Sequence, residues 1–215
     1  MVERLLEQFS QYLPLSQEER AAIKASALIR HYPPGKVITM DSSSRQNSFF
    51  VLQGLIREYE LTPKEEVNLH FYTENDWILN LDSSNPKDST DEPQRRLVAM
   101  EPSDLVVGNE EKAQALFKTS PRLMAVAQKI IEEQAAAYQR KIRAYRTSDP
   151  EQRFLDLLEQ RPDLFQRLSQ AHIASYIGVR PESLSRIRKR LYERRTLWMN
   201  TWAILPSCPD AKECL

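Results

Sequence analysis

From Pro121 to about Arg146 the apolar residues fall into two rows at helical spacing. Met124, Ala127, Ile131, Tyr138, Ile142 and Tyr145 form one row; Leu123, Val126, Ile130 and Ala137 form the other. Ser120 suits an N-cap and Pro121 a first helical turn. Twenty-six residues at ~1.5 Å each make a rod of roughly 39 Å. A helix with two apolar faces must bury both. One face can cover a neighbouring domain. The other needs a second partner, either a twofold copy of the same helix or another element of this chain.

The region upstream has a different period. Leu5, Leu6, Phe9 and Leu13 recur at helical spacing, and Ser16 followed by Glu19 reads as a capping box opening a helix through about Leu28. Between His31 and about Val107 the apolar runs are short: Val37-Ile38, Phe49–Leu52, Leu55–Tyr59, Val67–Tyr72, Trp77–Leu81 and Leu97–Met100. Turn formers punctuate them, among them Pro33-Pro34-Gly35, Gly54, Thr62-Pro63, Asn75-Asp76 and Asn85-Pro86. Many short strands with regular turns predict a β-barrel or sandwich. The polar stretch Asp82–Gln94 reads as an exposed loop.

Downstream, Thr147-Ser148-Asp149-Pro150 is a hinge-like break, and Phe154, Leu155, Leu157 and Leu158 mark a helix ended by Arg161-Pro162. Two short helical segments then flank Gly178. Ser169 can cap the first. Ala174 is small where two helices cross closely, Gly178 suits a turn needing positive φ, and Leu184 can pack back onto Ala174. Ile173, Ile177, Val179 and Ile187 complete a small core, and Pro181 falls in a first turn. This is helix-turn-helix spacing.

The outer face of the second helix carries Glu182, Ser183, Ser185, Arg186 and Lys189. Arginine can donate two bonds to guanine, and glutamate can accept from cytosine N4. Arg188, Lys189, Arg190, Arg194 and Arg195 suit phosphates. The formal net charge is +0, with 30 Lys+Arg against 30 Asp+Glu, which excludes a wholly basic polyanion binder. The balance is uneven along the chain: residues 1–150 hold 19 basic and 22 acidic residues, residues 151–215 hold 11 and 8. Only the second part is expected to meet a polyanion.

The order of β-domain, long helix and helix-turn-helix resembles the Crp/Fnr superfamily of bacterial transcription regulators. The resemblance covers almost the whole chain to about Leu197. Its most specific part is Ile173–Leu191, above all Glu182-Ser183-Leu184-Ser185-Arg186-Ile187. In the β-domain, Pro34-Gly35-Lys36-Val37-Ile38, Phe50–Arg57 and Asn75-Asp76-Trp77 resemble the family's cyclic-nucleotide-binding-like roll, Leu97–Leu105 its last strands, and Pro121-Arg122-Leu123 the start of its dimer helix. The resemblance implies an α+β protein of three parts: a sensory β-roll over 1–120, a dimerisation helix over 121–146 and a winged helix-turn-helix domain over 147–215. It implies a homodimer on twofold double-stranded DNA. Glu182 and Arg186 match base-reading positions, with Arg180, Ser183 and Ser185 beside them; Ser169 and Lys189 match phosphate-contacting positions, and Arg190 joins them as a phosphate contact. Met124, Ala127, Ile131, Tyr138, Ile142 and Tyr145 are the expected seam. Pro181 departs from relatives that often carry arginine there, so their operator does not carry over.

Family members that bind cyclic nucleotides use a Gly-Glu pair followed by Arg-Ser or Arg-Thr. The matching stretch here is Ile78-Leu79-Asn80-Leu81 and the loop through Gln94; the pair is missing, and neither Arg95 nor Arg96 precedes a small hydroxyl residue. A cyclic phosphate needs a charge-assisted donor and backbone N–H groups. cAMP is therefore not expected, and an effector, if there is one, is an unidentified small molecule. No cofactor is expected either. An iron–sulfur sensor needs cysteines near the N-terminus, whereas Cys208 and Cys214 lie in the last eight residues and read as free thiols. His31, His70 and His172 are scattered singly, and His70 reads as structural rather than as a haem ligand. The family's wing usually contains a glycine hairpin; Thr196–Leu205, with Trp198, Trp202 and Ile204, has β-prone residues and no glycine, so either the wing is altered or the tail packs differently.

A metal barrel enzyme would need clustered histidines, and a phosphate-cradling loop would need more than four glycines, so no enzyme is expected. The other alternative is a protein-interaction module of the same architecture that does not bind DNA. No apolar run approaches the roughly 18 residues of a membrane span, Met1-Val2-Glu3-Arg4 does not resemble a signal peptide, and the sparse cysteines fit a reducing cytoplasm.

Overall fold

The computed structural model describes residues 2–38, 48–79 and 94–202, and the side chains of 94, 110 and 195–202 are not part of that description. Most of the expected loop, Asn80-Leu81, residues 203–205 of the tail and both cysteines lie outside the described residues. The chain divides into two units, residues 1–146 and 147–215.

The first unit opens with two helices, α1 (Glu3–Ser10) and α2 (Gln17–Ser26). The capping box forms as the sequence predicts: Ser16 Oγ accepts from Glu19 N, and a Glu19 carboxylate oxygen accepts from Ser16 N. The helix stops short of the predicted end. Ala27 is already extended, and Leu28 begins β1 (Leu28–Tyr32), where ladder pairing with Val107 outweighs continuation of the helix.

Among the described residues seven further strands follow: β2 (Val37–Ile38), β3 (Ser48–Gln53), β4 (Ile56–Leu61), β5 (Glu66–Tyr72), β6 (Trp77–Leu79), β7 (Gln94–Ala99) and β8 (Ser103–Val107). They form two four-stranded antiparallel sheets, ordered β1-β8-β3-β6 and β2-β7-β4-β5. Alternate residues of β3 face opposite ways. Phe49 and Val51 pack between the sheets with Ile56, Ile78, Leu97 and Leu105, while Phe50 and Leu52 turn to the helices with Leu5, Leu6 and Phe9. Gly54 has φ +105°, and a Cβ there would stand 2.1 Å from Ser103 Oγ, so this turn admits only glycine.

Helix α3 (Glu110–Thr119), capped by Asn109, was not expected from the sequence. Next comes α4 (Pro121–Thr147). Leu123, Val126 and Ile130 are buried against α1, α2 and β3, whereas Ala137 is exposed, contrary to its predicted place in the same row. Past Ile130 the contact of α4 with the roll becomes polar: Lys141 Nζ donates to the Leu69 carbonyl at 2.7 Å and to His70 Nδ1 at 2.8 Å.

The second unit holds α5 (Pro150–Gln160), α6 (Leu164–Arg167), α7 (Gln170–Tyr176) and α8 (Pro181–Trp202). The expected break at 147–150 is an N-cap, with Asp149 Oδ1 accepting from Gln152 N and Pro150 at the first helical position. Helix α8 runs on to Trp202, so residues 196–202 are helical and no wing strand starts there. Among the described residues no helix is long and apolar enough to cross a membrane.

Candidate nucleic-acid interface

Three local devices set the angle between α7 and α8. Ser169 Oγ accepts from His172 N at 3.2 Å and starts α7. At its end Gly178, with φ +72°, donates to the Ser175 carbonyl at 3.1 Å, and Val179 N donates to the Ala174 carbonyl at 2.9 Å. This pair of bonds is a Schellman stop, which requires a left-handed residue where glycine stands. Pro181 then opens α8, and the Arg180 carbonyl accepts from Ser183 N and Leu184 N.

Beneath the turn, Ile173, Ala174, Ile177, Leu184 and Ile187 are all buried, with Phe154, Leu157, Leu164 and Leu168 from the neighbouring helices. Ala174 is fully enclosed, as close crossing of α7 and α8 demands, whereas Val179, predicted in this core, is half-buried. Phe154 meets Phe165 edge-to-face at 5.5 Å. Arg153 Nε donates to the Ile177 carbonyl at 2.9 Å and satisfies a carbonyl at the end of α7.

The opposite face of α8 is exposed. Glu182, Ser185, Arg186, Lys189 and Arg190 all reach solvent, Ser183 is half-buried, and Arg180 and Ser169 flank them on the surface. Glu182, Arg186 and Lys189 lie four and three residues apart, which places them along one edge of the helix. Among the described residues Arg180, Arg186 and Arg188 have no acceptor side chain. Lys189 lies 3.9 Å from Glu193. Arg190 and Arg194 differ: both approach Glu151 at the start of α5, at 3.3 Å and 2.6 Å. A groove of about 1010 Å³ runs along this side of α8, bordered by Arg186 and Lys189 on one flank and Asp149 and Glu151 on the other. Sequence reasoning missed Glu151 and Arg153; an acidic residue in a first helical turn was visible, its partners on α8 were not.

In the first unit the other row of α4 is open. Met124, Ile131, Tyr138, Ile142 and Tyr145 are 44–63% exposed and Ala127 is half-buried. Met124, Ile131, Tyr138 and Tyr145 recur every seventh residue, the period of a coiled-coil seam.

The β2-β7-β4-β5 sheet carries a polar network. Glu58, 3% exposed, accepts from Tyr72 Oη at 2.8 Å and pairs with Arg95. Burial pulls the Arg95 guanidinium below its ordinary pKa. Arg57 donates to Asn68 Oδ1 and pairs with Glu66 at 2.7 Å. Among the described residues no group of three His, Cys, Asp or Glu side chains could hold a metal ion.

No protein-family model matches the sequence, and no curated protein matches it significantly. Solved structures do match. CprK complexed with OCPA aligns at TM-score 0.59 and 21% identity, over 83% of this chain and 86% of that one. A CooA variant from Carboxydothermus hydrogenoformans gives 0.62 and 14%, over 86% and 84%. CLP, a c-di-GMP responsive global regulator of Xanthomonas campestris, gives 0.61 and 18%, over 83% and 93%. A protein from Eubacterium rectale ATCC 33656 described as a transcriptional regulator of the crp/fnr family gives 0.60 and 18%, over 87% and 88%. Sheets, long helix and helix-turn-helix follow one another here in the order the sequence predicted, and this chain has the fold of the Crp/Fnr-type regulators.

Proposed function

We propose that this chain is a cytoplasmic, homodimeric, non-enzymatic transcription regulator that inserts α8 into the major groove of double-stranded DNA. The observation that carries the reading is the exposed edge of α8, where Glu182, Ser185, Arg186 and Lys189 stand outward on a fully packed helix-turn-helix core. Glu182 and Arg186 take the base edges, with Arg180, Ser183 and Ser185 beside them. Ser169 and Lys189 take phosphates, and Arg190 does so by sharing or leaving Glu151. The exposed α4 row from Met124 to Tyr145 forms the dimer seam. Residues 1–120 act as the sensory part, 121–146 as the dimer helix and 147–215 as the reading domain. A small-molecule effector acts by binding two arrangements of the reading heads unequally. The names of CprK and CLP, each linked to a small molecule, support a sensory role for the roll.

The test is a salt titration of the full chain on a fluorescent duplex. Binding at low salt that falls by about 10³-fold or more between 50 and 200 mM salt supports the reading. A chain that ignores duplex DNA at low salt is an interaction module of the same architecture instead.

A further inference from the structure

We propose that the first unit carries a binding site for a small amphiphile, an apolar body with one anionic head, in a recess between the β1-β8-β3-β6 sheet and the helices that cover it. The recess has a volume of about 340 Å³. That is roughly twice the ~150 Å³ of an apolar cavity that stays dry and admits benzene, and it lies within the range of small-molecule sites. Its walls include Leu5, Phe9, Ile23, Val106, Leu116 and Ile130. It lies outside the interior of the roll, on the face of the sheet that packs against α1 and α4.

Water is a poor occupant. Two of the polar side chains in the wall are already engaged: Ser26 Oγ donates to the Ile23 carbonyl at 2.9 Å, and Asn109 Oδ1 accepts from Lys112 N at 3.0 Å. A water molecule needs two to four partners; among the described residues Trp77 Nε1 is the buried side-chain donor left without one, and most of the remaining wall is apolar. A protein partner fits poorly too, because the floor is made of side chains less than one-tenth exposed, among them Leu5, Ile23 and Ile130. An apolar small molecule satisfies both limits.

Lys112 sets the head group. It lines the recess, is exposed, and among the described residues its ammonium has no carboxylate partner. An anionic oxygen there would receive a charge-assisted hydrogen bond. The recess also touches Ala127, Ile130 and Ile131 of α4. A bound molecule would bear on the helix that carries the seam, a consequence that rests on the proposed function; binding itself does not.

The experiment compares decanoate, decanol and decyltrimethylammonium, each below its micelle concentration, on the full chain without DNA. Melting temperature and tryptophan emission are the readouts, since Trp77 is part of the wall. Decanoate is expected to raise the melting temperature saturably and more than decanol, with no rise from the cation. Lys112→Met should weaken decanoate about tenfold, to the level of decanol. Lys112→Glu should favour the cation over decanoate. Trp77→Phe should remove the emission change. Ala113→Phe fills the recess and should abolish the decanoate response; both Lys112 variants alter an exposed side chain, so they test the site even if that variant fails to fold. An equal response to all three probes, no saturable response, or a decanoate response unchanged in Lys112→Glu overturns the proposal. Duplex binding is measured separately without amphiphile, so either reading can fail alone.

Discussion

Glu151 accepts a hydrogen bond from Arg194 at 2.6 Å and lies 3.3 Å from Arg190, so one carboxylate at the start of α5 holds two guanidiniums of α8. The contact with Arg194 joins residues 43 apart in sequence. It also places a negative charge beside the face assigned to a polyanion.

Glu151→Gln therefore tests whether those arginines reach phosphates. Both arginine side chains are more than half exposed, so unfolding free energy should change by less than about 1 kcal/mol. Non-specific affinity should rise, and the slope of log K against log salt should steepen by about 2 to 4, as each added phosphate contact contributes about 0.9 and both subunits gain one or two. Fluorescence anisotropy across salt concentrations checks this. An unaltered slope would show that Arg190 and Arg194 stay off the backbone.

Arg186 and Lys189 should separate choice from affinity. Arg186→Ala is expected to cost about 1–3 kcal/mol at the preferred site and to relax base preference there. Lys189→Ala should weaken all sequences alike and flatten the salt slope by about 2, one lost contact in each subunit. Competition between preferred and scrambled duplexes distinguishes the two. Loss of base preference in Lys189→Ala rather than in Arg186→Ala would reverse the assigned roles.

The seam is tested at Ile142, which is 44% exposed and makes no part of the buried row of α4. Ile142→Glu should give a folded monomer, because a charge enters an apolar seam without a partner. Sedimentation velocity with circular dichroism reads both properties. An intact dimer would place the seam elsewhere.

Glu19 links stability to pH. The Ser16 backbone N–H, chiefly, and the Ser120 hydroxyl at 2.7 Å hold its carboxyl below the ordinary value of 4.5. Because the folded pKa is the lower one, the stabilisation is complete above the ordinary value and is lost as pH falls through the folded value. The stability gap between wild type and Glu19→Gln should be constant near neutrality and shrink below about pH 4.5. Urea unfolding at several pH values measures it. A gap independent of pH would contradict the linkage.

What the sequence revealed and what it concealed divide along contact range. Ser16 with Glu19, Ser169 with His172, and Gly178 at its turn are each encoded within a few residues, and each forms where the pattern places it. The Glu58–Arg95 pair spans 37 residues and Lys141–His70 spans 71, and nothing local announces either. The row of Leu123, Val126 and Ile130 was legible from period alone, but its end was not: Ala137 lies beyond Ile130, where α4 meets the roll through Lys141. Residues 196–202 mislead in the opposite direction. Their β-prone composition hints at a strand, while an uninterrupted run from Pro181 without glycine lets α8 propagate through them.

Selection of bound sequences from a pool of random duplexes by the full wild-type chain tests the central claim most directly. Two copies of α8 entering successive turns of one groove should enrich a twofold-symmetric motif with half-site centres about 34 Å, or roughly one helical turn, apart. Enrichment of no motif, or of a single unpaired half-site, would contradict it.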